Sequence, residues 1–419
     1  MYSESDLNKV AEGKTKEIYE IRNDANLVLI RSKNSITAFN AKRSNIIEGK
    51  GRTANQTTCH IFEYLQAVGM KTHFVRTAGE NEFVALKCVM VPLEWVARRV
   101  ATGSFLKRNP GVKEGYRFCP PKIEIFFKDD ANDDPQWSED QILANKFEFN
   151  GLRIARREIN LMKRQTDTAF RLLEKAWDRE GCALIDLKVE FGVTTDGELL
   201  LADVIDNDSW RVWPAGDRRL QLDKQFYRDL KEVDNEALSK LKENYEKVAQ
   251  LTKKFVREGK VARAVIIIGS PTDVEYAKKI ESGCSKYGLT TVIRISSAHK
   301  TTMDTLEIVA DYEGDGVPTV FIAVAGRSNG LGPVLSGNTT YPVINAPPLD
   351  ADWAAQDIWS SLRTPSGLGC STVLGADEAA LAAAKIMSTI DYMVFGRLLV
   401  KQLDSVSSVS NADKAICYQ

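Results

Sequence analysis

The chain has 419 residues, a formal net charge of −1, and is 43% hydrophobic and 27% charged. Its length exceeds one small module and suggests two or three domains, and the balanced charge argues against an electrostatic nucleic-acid partner. The balance hides a step, however: the first 261 residues hold 44 basic and 41 acidic side chains, and the remaining 158 hold 12 and 16. Charge density drops near Glu258-Gly259-Lys260, where two differently built domains are expected to meet: 1–258, a linker at 259–262, and 263–419.

Seven scattered cysteines form no Cys-x-x-Cys pair and no zinc-spaced cluster, so free thiols in a reducing cytosol are expected. The acidic start, Met1-Tyr2-Ser3-Glu4-Ser5-Asp6, is unlike a signal peptide. The uncharged run Ser328–Leu349 is long enough to span a bilayer, but prolines and glycines interrupt it. A soluble cytoplasmic protein with no membrane partner is expected.

The first part reads as strand-rich α+β. Strands are expected at Lys16–Ile21 and Leu27–Arg31 around an Asn23-Asp24 turn, with helices at Ala54–Ala67 and Arg157–Trp177. Two apolar runs, Ala183–Phe191 and Leu199–Ile205, flank Asp196-Gly197, a type I′ hairpin signal. A charged helix follows at roughly Asn235–Glu258. The second part alternates buried strands with helices: strand Ala264–Ile268, helix Asp273–Tyr287, strand Thr291–Ile295, helix Thr301–Tyr312, strand Thr319–Val324. A further strand at Pro342–Asn345 and an Ala-rich helix from Asp377 to about Met393 complete it, with a Ser-rich end expected to fray from Ser405. This pattern predicts an α/β three-layer, doubly wound parallel sheet of flavodoxin or Rossmann type.

A two-residue turn at Asp196-Gly197 would set Glu190 directly opposite Asp203. Two opposed carboxylates on an otherwise apolar hairpin call for a cation, and Mg²⁺ carrying nucleotide phosphates supplies hard-ligand chemistry for it. Asp186 and Lys188 share the face of Glu190 by period-2 alternation and are the catalytic candidates. The competing reading is an exposed face with a salt bridge. Glu12-Gly13-Lys14-Thr15-Lys16 offers glycine and two lysines to phosphates, though without P-loop spacing. Arg98-Arg99 leading into Thr102-Gly103-Ser104 can clamp a phosphate monoester. Asp206–Arg211 and Asp223–Arg228, with Asp208, Arg211, Lys224 and Arg228, mix acids and bases as a polar ligand requires; a surface loop would look similar.

Ligands of open parallel sheets bind beyond the strands' carboxyl ends. Three such ends carry polar clusters: Gly269-Ser270-Pro271-Thr272-Asp273, Ser296-Ser297-Ala298-His299-Lys300, and Gly326-Arg327-Ser328-Asn329-Gly330. Ser270 or Thr272 alone could be only a helix cap. His299, one of three histidines, is the acid/base candidate. No Gly-x-Gly-x-x-Gly follows the first strand, which counts against a nicotinamide dehydrogenase.

The Glu12–Lys16, Pro92–Ser104, Leu184–Gly192 and Asp223–Arg228 stretches resemble the SAICAR synthase family, over about the first 255 residues. The resemblance implies an ATP-dependent ligase joining L-aspartate to carboxyaminoimidazole ribotide (CAIR). Gly13, Lys14, Thr15 and Lys16 would cover ATP, and Glu190 and Asp203 would bind Mg²⁺. Arg98, Ser104, Asp208, Arg211, Lys224 and Arg228 would hold CAIR or aspartate. From Val265 to about Leu399 the chain resembles AIR carboxylase, in the form that takes CO₂ without biotin or ATP. It implies that His299 moves the C4 proton of aminoimidazole ribotide (AIR). Ser270, Thr272, Asp273, Ser297, Lys300, Arg327, Ser328 and Gly330 would then bind AIR and CO₂. Pro271 and Thr301-Thr302 depart from familiar versions. Together the halves resemble the bifunctional purine-synthesis family, which implies a homo-octamer. The alternative is an active ligase whose second domain serves only as an oligomerisation scaffold.

Overall fold

The computed structural model describes residues 2–38, 43–230, 232–257, 259, 261–349 and 354–417; Glu258 and Lys260 of the charge step lie outside them. Two compact units emerge, Met1–Val256 with Leu403–Gln419, and Arg257–Gln402.

The first unit contains two antiparallel five-stranded sheets. One runs in the order Leu7–Glu12, Lys16–Ile21, Asp24–Ser32, Glu82–Leu86, Phe74–Gly79. The other runs Leu199–Ala202, Cys182–Thr194, Cys88–Val100, Arg117–Phe127, with Trp210–Pro214 also paired to Cys182–Thr194. That long strand alternates: Ile185, Leu187, Val189 and Phe191 are buried apolar residues, while Asp186, Lys188 and Glu190 carry charge on the other face. The helix Arg156–Arg179 packs against it, with Trp177 edge-on to both Trp210 and Phe255. The helices expected at Ala54 and Arg157 begin slightly earlier, at Lys50 and Arg156. The charged helix spans Asn235–Thr252, started by Asp234, whose carboxylate accepts the Ala237 N–H.

The hairpin register corrects the sequence reading by one residue. Glu190 faces Ala202, not Asp203, and Val193 faces Leu199. The turn is not a two-residue type I′: the Thr194 N–H reaches the Glu198 carbonyl, enclosing Thr195-Asp196-Gly197, with Gly197 at φ +79°. A three-residue loop with a left-handed glycine is the next commonest hairpin connection, and it shifts the strand register by one residue. Asp203 falls just past the strand end at φ +67°, a backbone region that side-chain-bearing residues seldom occupy.

The second unit is a five-stranded parallel sheet ordered Thr290–Ile295, Arg263–Ile268, Thr319–Val324, Val343–Asn345, Cys370–Thr372. Period-2 alternation sorts its core. Ala264, Ile266, Ile268, Val320, Ile322 and Val324 pack with the helices Val274–Lys286 and Ala376–Met387. Val265, Ile267, Phe321 and Ala323 pack on the other face with Thr302–Gly314 and Leu331–Gly337. The expected three layers are present. The edge strand Cys370–Thr372 was not anticipated; three residues leave too little periodicity to read.

The Ala-rich helix stops at Met387 rather than near Met393, and a new helix runs Tyr392–Cys417. Asp391 explains the break, since its carboxylate accepts the Met393 N–H and pairs with Arg257. The Ser-rich end is helical through Cys417 rather than frayed, with Ser407 bonding back to the Leu403 carbonyl and Arg157 reaching Ser410. The cysteines with described side chains, from Cys59 to Cys370, are free. No helix among the described residues is long and apolar enough to cross a membrane.

Candidate active sites

Two charged clusters share the even-numbered face of Cys182–Thr194. In the first, Asp186 accepts from Arg98 at 2.8 Å and from Arg211, and Arg98 also pairs with buried Glu124, which takes Arg108 at 2.8 Å. Arg211 lies against Gly103: a Cβ there would stand 2.6 Å from Nη2. The φ of +59° at Gly103 favours glycine there, and the guanidinium lies against the backbone that opens the short helix Ser104–Arg108. Gln225 bonds Arg211 at 3.2 Å and opens the short helix that carries exposed Arg228. Asp223, buried, is pushed up to about 7 by desolvation, against the Val212 and Gln225 N–H groups that it accepts.

Two residues along, Lys188 lies 2.6 Å from Glu190, 3.3 Å from Glu94 and 3.9 Å from Asp203. Lys128 pairs with Glu190 at 2.8 Å, and the Lys16 ammonium lies against Asp203. Burial alone would raise the Glu190 carboxyl, but Lys188, Lys128 and Lys16 outweigh it and hold it near 2. Glu190 and Asp203 therefore meet through Lys188, not by direct opposition. The carboxylate that does face Glu190 across the strands is Glu94. The sequence reading missed it because the pairing of Cys88–Val100 with Cys182–Thr194 joins segments about ninety residues apart.

Gly13-Lys14-Thr15 forms the turn between Leu7–Glu12 and Lys16–Ile21. It is tied by Gly13 N–H to the Lys16 carbonyl and by Ser35 to the Lys14 carbonyl, and Lys14 pairs with Asp130 at 2.8 Å. A third cluster gathers Asp208, Lys224, Lys50 and Tyr245; the last two were also missed, since nothing in their local pattern separates them from ordinary helix positions.

In the second unit the three expected loops follow three adjacent parallel strands. Ser270 behaves as a cap, accepting from the Thr272 N–H and hydroxyl, with Pro271 at the helix start. Asp273 is pushed up by burial. Thr301 and Thr302, the departures noted above, pin the histidine turn: Thr301 accepts the Ser297 N–H and bonds Ser296, and Thr302 donates to the Ala298 carbonyl. His299 and Lys300 are exposed at this edge. The His299 ring packs on Gly330, where an added Cβ would stand 2.5 Å from Nε2. Asn329, buried, holds that loop through Ser360, Ser361 and the Gly332 N–H. Arg327, at φ +54°, and Ser328 stay exposed.

The SAICAR synthetase family matches residues 9–248 and the AIR carboxylase family residues 263–406. The human bifunctional phosphoribosylaminoimidazole carboxylase/phosphoribosylaminoimidazole succinocarboxamide synthetase is 54% identical over 409 residues, covering 97% of this chain and 96% of its own. The chain belongs to the bifunctional AIR carboxylase/SAICAR synthetase family. A probable multifunctional protein ADE2 of Caenorhabditis elegans is 58% identical over 410 residues, covering 98% of this chain and 97% of that protein. A solved SAICAR synthetase in complex with ADP aligns at 32% identity and a TM-score of 0.50, covering 57% of this chain and 97% of its own. As an AIR carboxylase/SAICAR synthetase, the chain carries two activities of purine biosynthesis, one in each half. The dehydrogenase and scaffold-only alternatives fall with that membership.

Proposed function

We propose that the carboxylase domain, 263–419, adds CO₂ to C4 of AIR without biotin or ATP. The ligase domain, 1–258, joined through a linker at 259–262, then couples the product CAIR to L-aspartate, giving SAICAR, ADP and phosphate. The observation that supports this reading best is the pair of clusters on one strand. Asp186 holds two arginines, one of them against the Gly103 backbone, suited to a ribotide phosphate, and lysines ring Glu190 and Asp203, suited to nucleotide phosphates.

In carboxylation, C4 forms a bond to the CO₂ carbon and its proton passes to the His299 imidazole. Ser270, Thr272, Asp273 and Ser297 hold the ribotide, while Lys300, Arg327, Ser328 and the Gly330 backbone surround CO₂. In ligation, the new carboxylate attacks the γ-phosphorus of ATP, expelling ADP and forming an acyl phosphate. The aspartate amine then displaces phosphate and loses a proton. Arg98, Ser104, Arg211 and Arg228 orient CAIR, and Asp208 and Lys224 take part in CAIR or aspartate binding. Lys188 acts at the reacting end, Asp186 serves the reaction by fixing the two arginines that hold CAIR, and Gly13, Lys14, Thr15 and Lys16 close over ATP.

The residues fit Mg²⁺. Glu190 and Asp203 are hard oxygen donors, and Lys188 already places positive charge between them. Two carboxylates would share the ion with substrate phosphates. Bound there, Mg²⁺ supplies charge neutralisation to the phosphates.

A cytoplasmic homo-octamer rests on the family resemblance. A coupled assay omitting AIR, bicarbonate, ATP or L-aspartate in turn tests the scheme. CAIR should still form without ATP, and SAICAR should require all four; ATP-dependent CAIR formation would overturn it.

A further inference from the structure

The loop Arg327–Gly330 is held in place by a segment outside every motif described above. Arg327 adopts φ +54°, a left-handed conformation that a residue with a side chain keeps only where its surroundings fix it. Arg327 and Ser328 are exposed, so the fixing contacts come from Asn329, which is 3% exposed. Its backbone N–H donates to Ser360 Oγ at 2.9 Å, and its Nδ2 donates to Ser361 Oγ at 3.0 Å. Ser360 shares its one proton between the Asp357 carbonyl at 2.8 Å and the Arg327 carbonyl at 3.2 Å. A single hydroxyl therefore touches the peptide groups on both sides of Ser328.

The serine pair is itself anchored to the sheet. The Ser361 carbonyl accepts the Thr372 hydroxyl at 2.8 Å and Asn345 Nδ2 at 3.3 Å, both from the last residues of their strands. On the other side, Asn329 Oδ1 accepts the Gly332 N–H at 3.0 Å, which closes the loop around Gly330. Gly330 is the residue on which the His299 ring packs. A contiguous path thus runs from two strand ends, through Ser360 and Ser361, to the surface that backs the imidazole. Such a path carries coupling only if breaking it moves the far end. Removing the Ser360 hydroxyl would strand a buried N–H, and the loop can satisfy that group only by re-seating towards water.

We propose that Ser360 is a positioning residue for AIR carboxylation: through Asn329 it sets Gly330, and through Gly330 the place of the His299 imidazole. The inference rests on the carboxylase reading above, in which His299 takes the C4 proton, and adds a residue outside the three strand-end loops. A shift of the imidazole acts on turnover. The ribotide contacts assigned to Ser270, Thr272 and Asp273 lie on another loop, which the path does not touch, so AIR binding should change little.

The experiment compares the full-length protein with Ser360→Ala and Ser360→Thr. It follows CAIR formed from AIR at saturating bicarbonate, and SAICAR formed from supplied CAIR in the same preparation. In Ser360→Ala, kcat for carboxylation should fall at least about tenfold, or about 1.4 kcal/mol of barrier, with KM for AIR within about twofold. Ser360→Thr keeps the hydroxyl and should hold kcat within about threefold of wild type. Ligation and the thermal midpoint should stay near wild type in both, since either residue is tolerated in the short helix Trp359–Leu362. A smaller loss of kcat in Ser360→Ala, a rise in KM for AIR with kcat intact, or no recovery in Ser360→Thr would each overturn the proposal. So would a loss of carboxylation that merely follows a lowered thermal midpoint. If Ser360→Ala fails to fold, Ser360→Cys, close in size but with a weakly accepting sulfur, is read by the same criteria. Absence of carboxylation in the wild-type protein would instead refute the carboxylase reading, and the proposal with it.

Discussion

Gly330 offers a perturbation whose size follows from geometry. Its backbone sits at φ −76° and ψ −19°, a conformation alanine adopts freely, so Gly330→Ala introduces no backbone strain. What it introduces is a methyl group 2.5 Å from Nε2 and 2.9 Å from Cε1 of His299. Non-bonded heavy atoms settle at roughly 3.5–4.0 Å, so the imidazole tip must retreat by about 1 Å. His299 is exposed at the sheet edge and can swing away, which keeps the stability cost small; losing a glycine at a helix start costs about 0.5–1 kcal/mol. A 1 Å misplacement of a reacting group can cost about 10²-fold in rate, or about 2.7 kcal/mol of barrier. Gly330→Ala should therefore lower AIR carboxylation about a hundredfold while SAICAR formation from supplied CAIR and the thermal midpoint stay nearly unchanged. The assay follows both products in one preparation. Carboxylation within about threefold of wild type would refute the placement of the proton-transfer group against Gly330.

Further outcomes follow from the same coordinates. Asp203→Asn should abolish succinocarboxamide formation in a variant that still folds, because asparagine tolerates the positive φ of 67° that Asp203 adopts; ligase turnover in that folded variant would sink the metal assignment. His299→Asn should stop carboxylation and leave ligation from CAIR intact, and a near-normal carboxylation rate would refute its role. His73, buried edge-on to Phe62 and Phe83, is pushed down to about 3 by desolvation, with Lys16 adding to the shift. The unfolded chain binds that proton below about 6.5 and the folded one does not, so stability should fall as pH drops from 6.5 towards 3, by about 1.4 kcal/mol per pH unit. Denaturation of the wild type against His73→Phe across this range checks it; identical pH dependence would show that His73 takes its proton without cost.

The second unit was more legible than the first, for a physical reason. Each of its first three strands is followed within a few residues by its helix, so runs such as Ala264–Ile268 and Thr319–Val324 announce both element and layer. Its site follows from topology, because the strands' carboxyl ends come together by construction. The ligase site joins distant segments. Glu94 meets Glu190 through a strand pairing, Lys50 meets Asp208 across more than 150 residues, and Lys128 arrives from a third segment. No local period encodes these meetings. Even the legible hairpin failed in detail, since Asp196-Gly197 suits two loop lengths and only the Thr194–Glu198 bond decides between them.

The charge step near residue 260 extends into the interior. The first unit buries Lys50, Arg98, Arg99, Glu124, Glu158, Asp186, Glu190, Asp203, Asp206 and Asp223, while the second buries Arg263 and Asp391. Ions inside a protein persist only where they are paired, and pairs rarely repay their own desolvation. The ligase unit therefore carries a standing energetic load, which agrees with the charged ligands proposed for it. On the proposed reading the carboxylase unit handles CO₂, one ribotide and one proton. Backbone N–H groups, hydroxyls and a single imidazole suffice for that chemistry, and its interior can stay apolar. The same reasoning predicts where each unit tolerates change. Conservative charge-neutral substitutions should be cheap in the sheet of the second unit. In the first they should be expensive whenever they remove one member of a buried pair and strand the other.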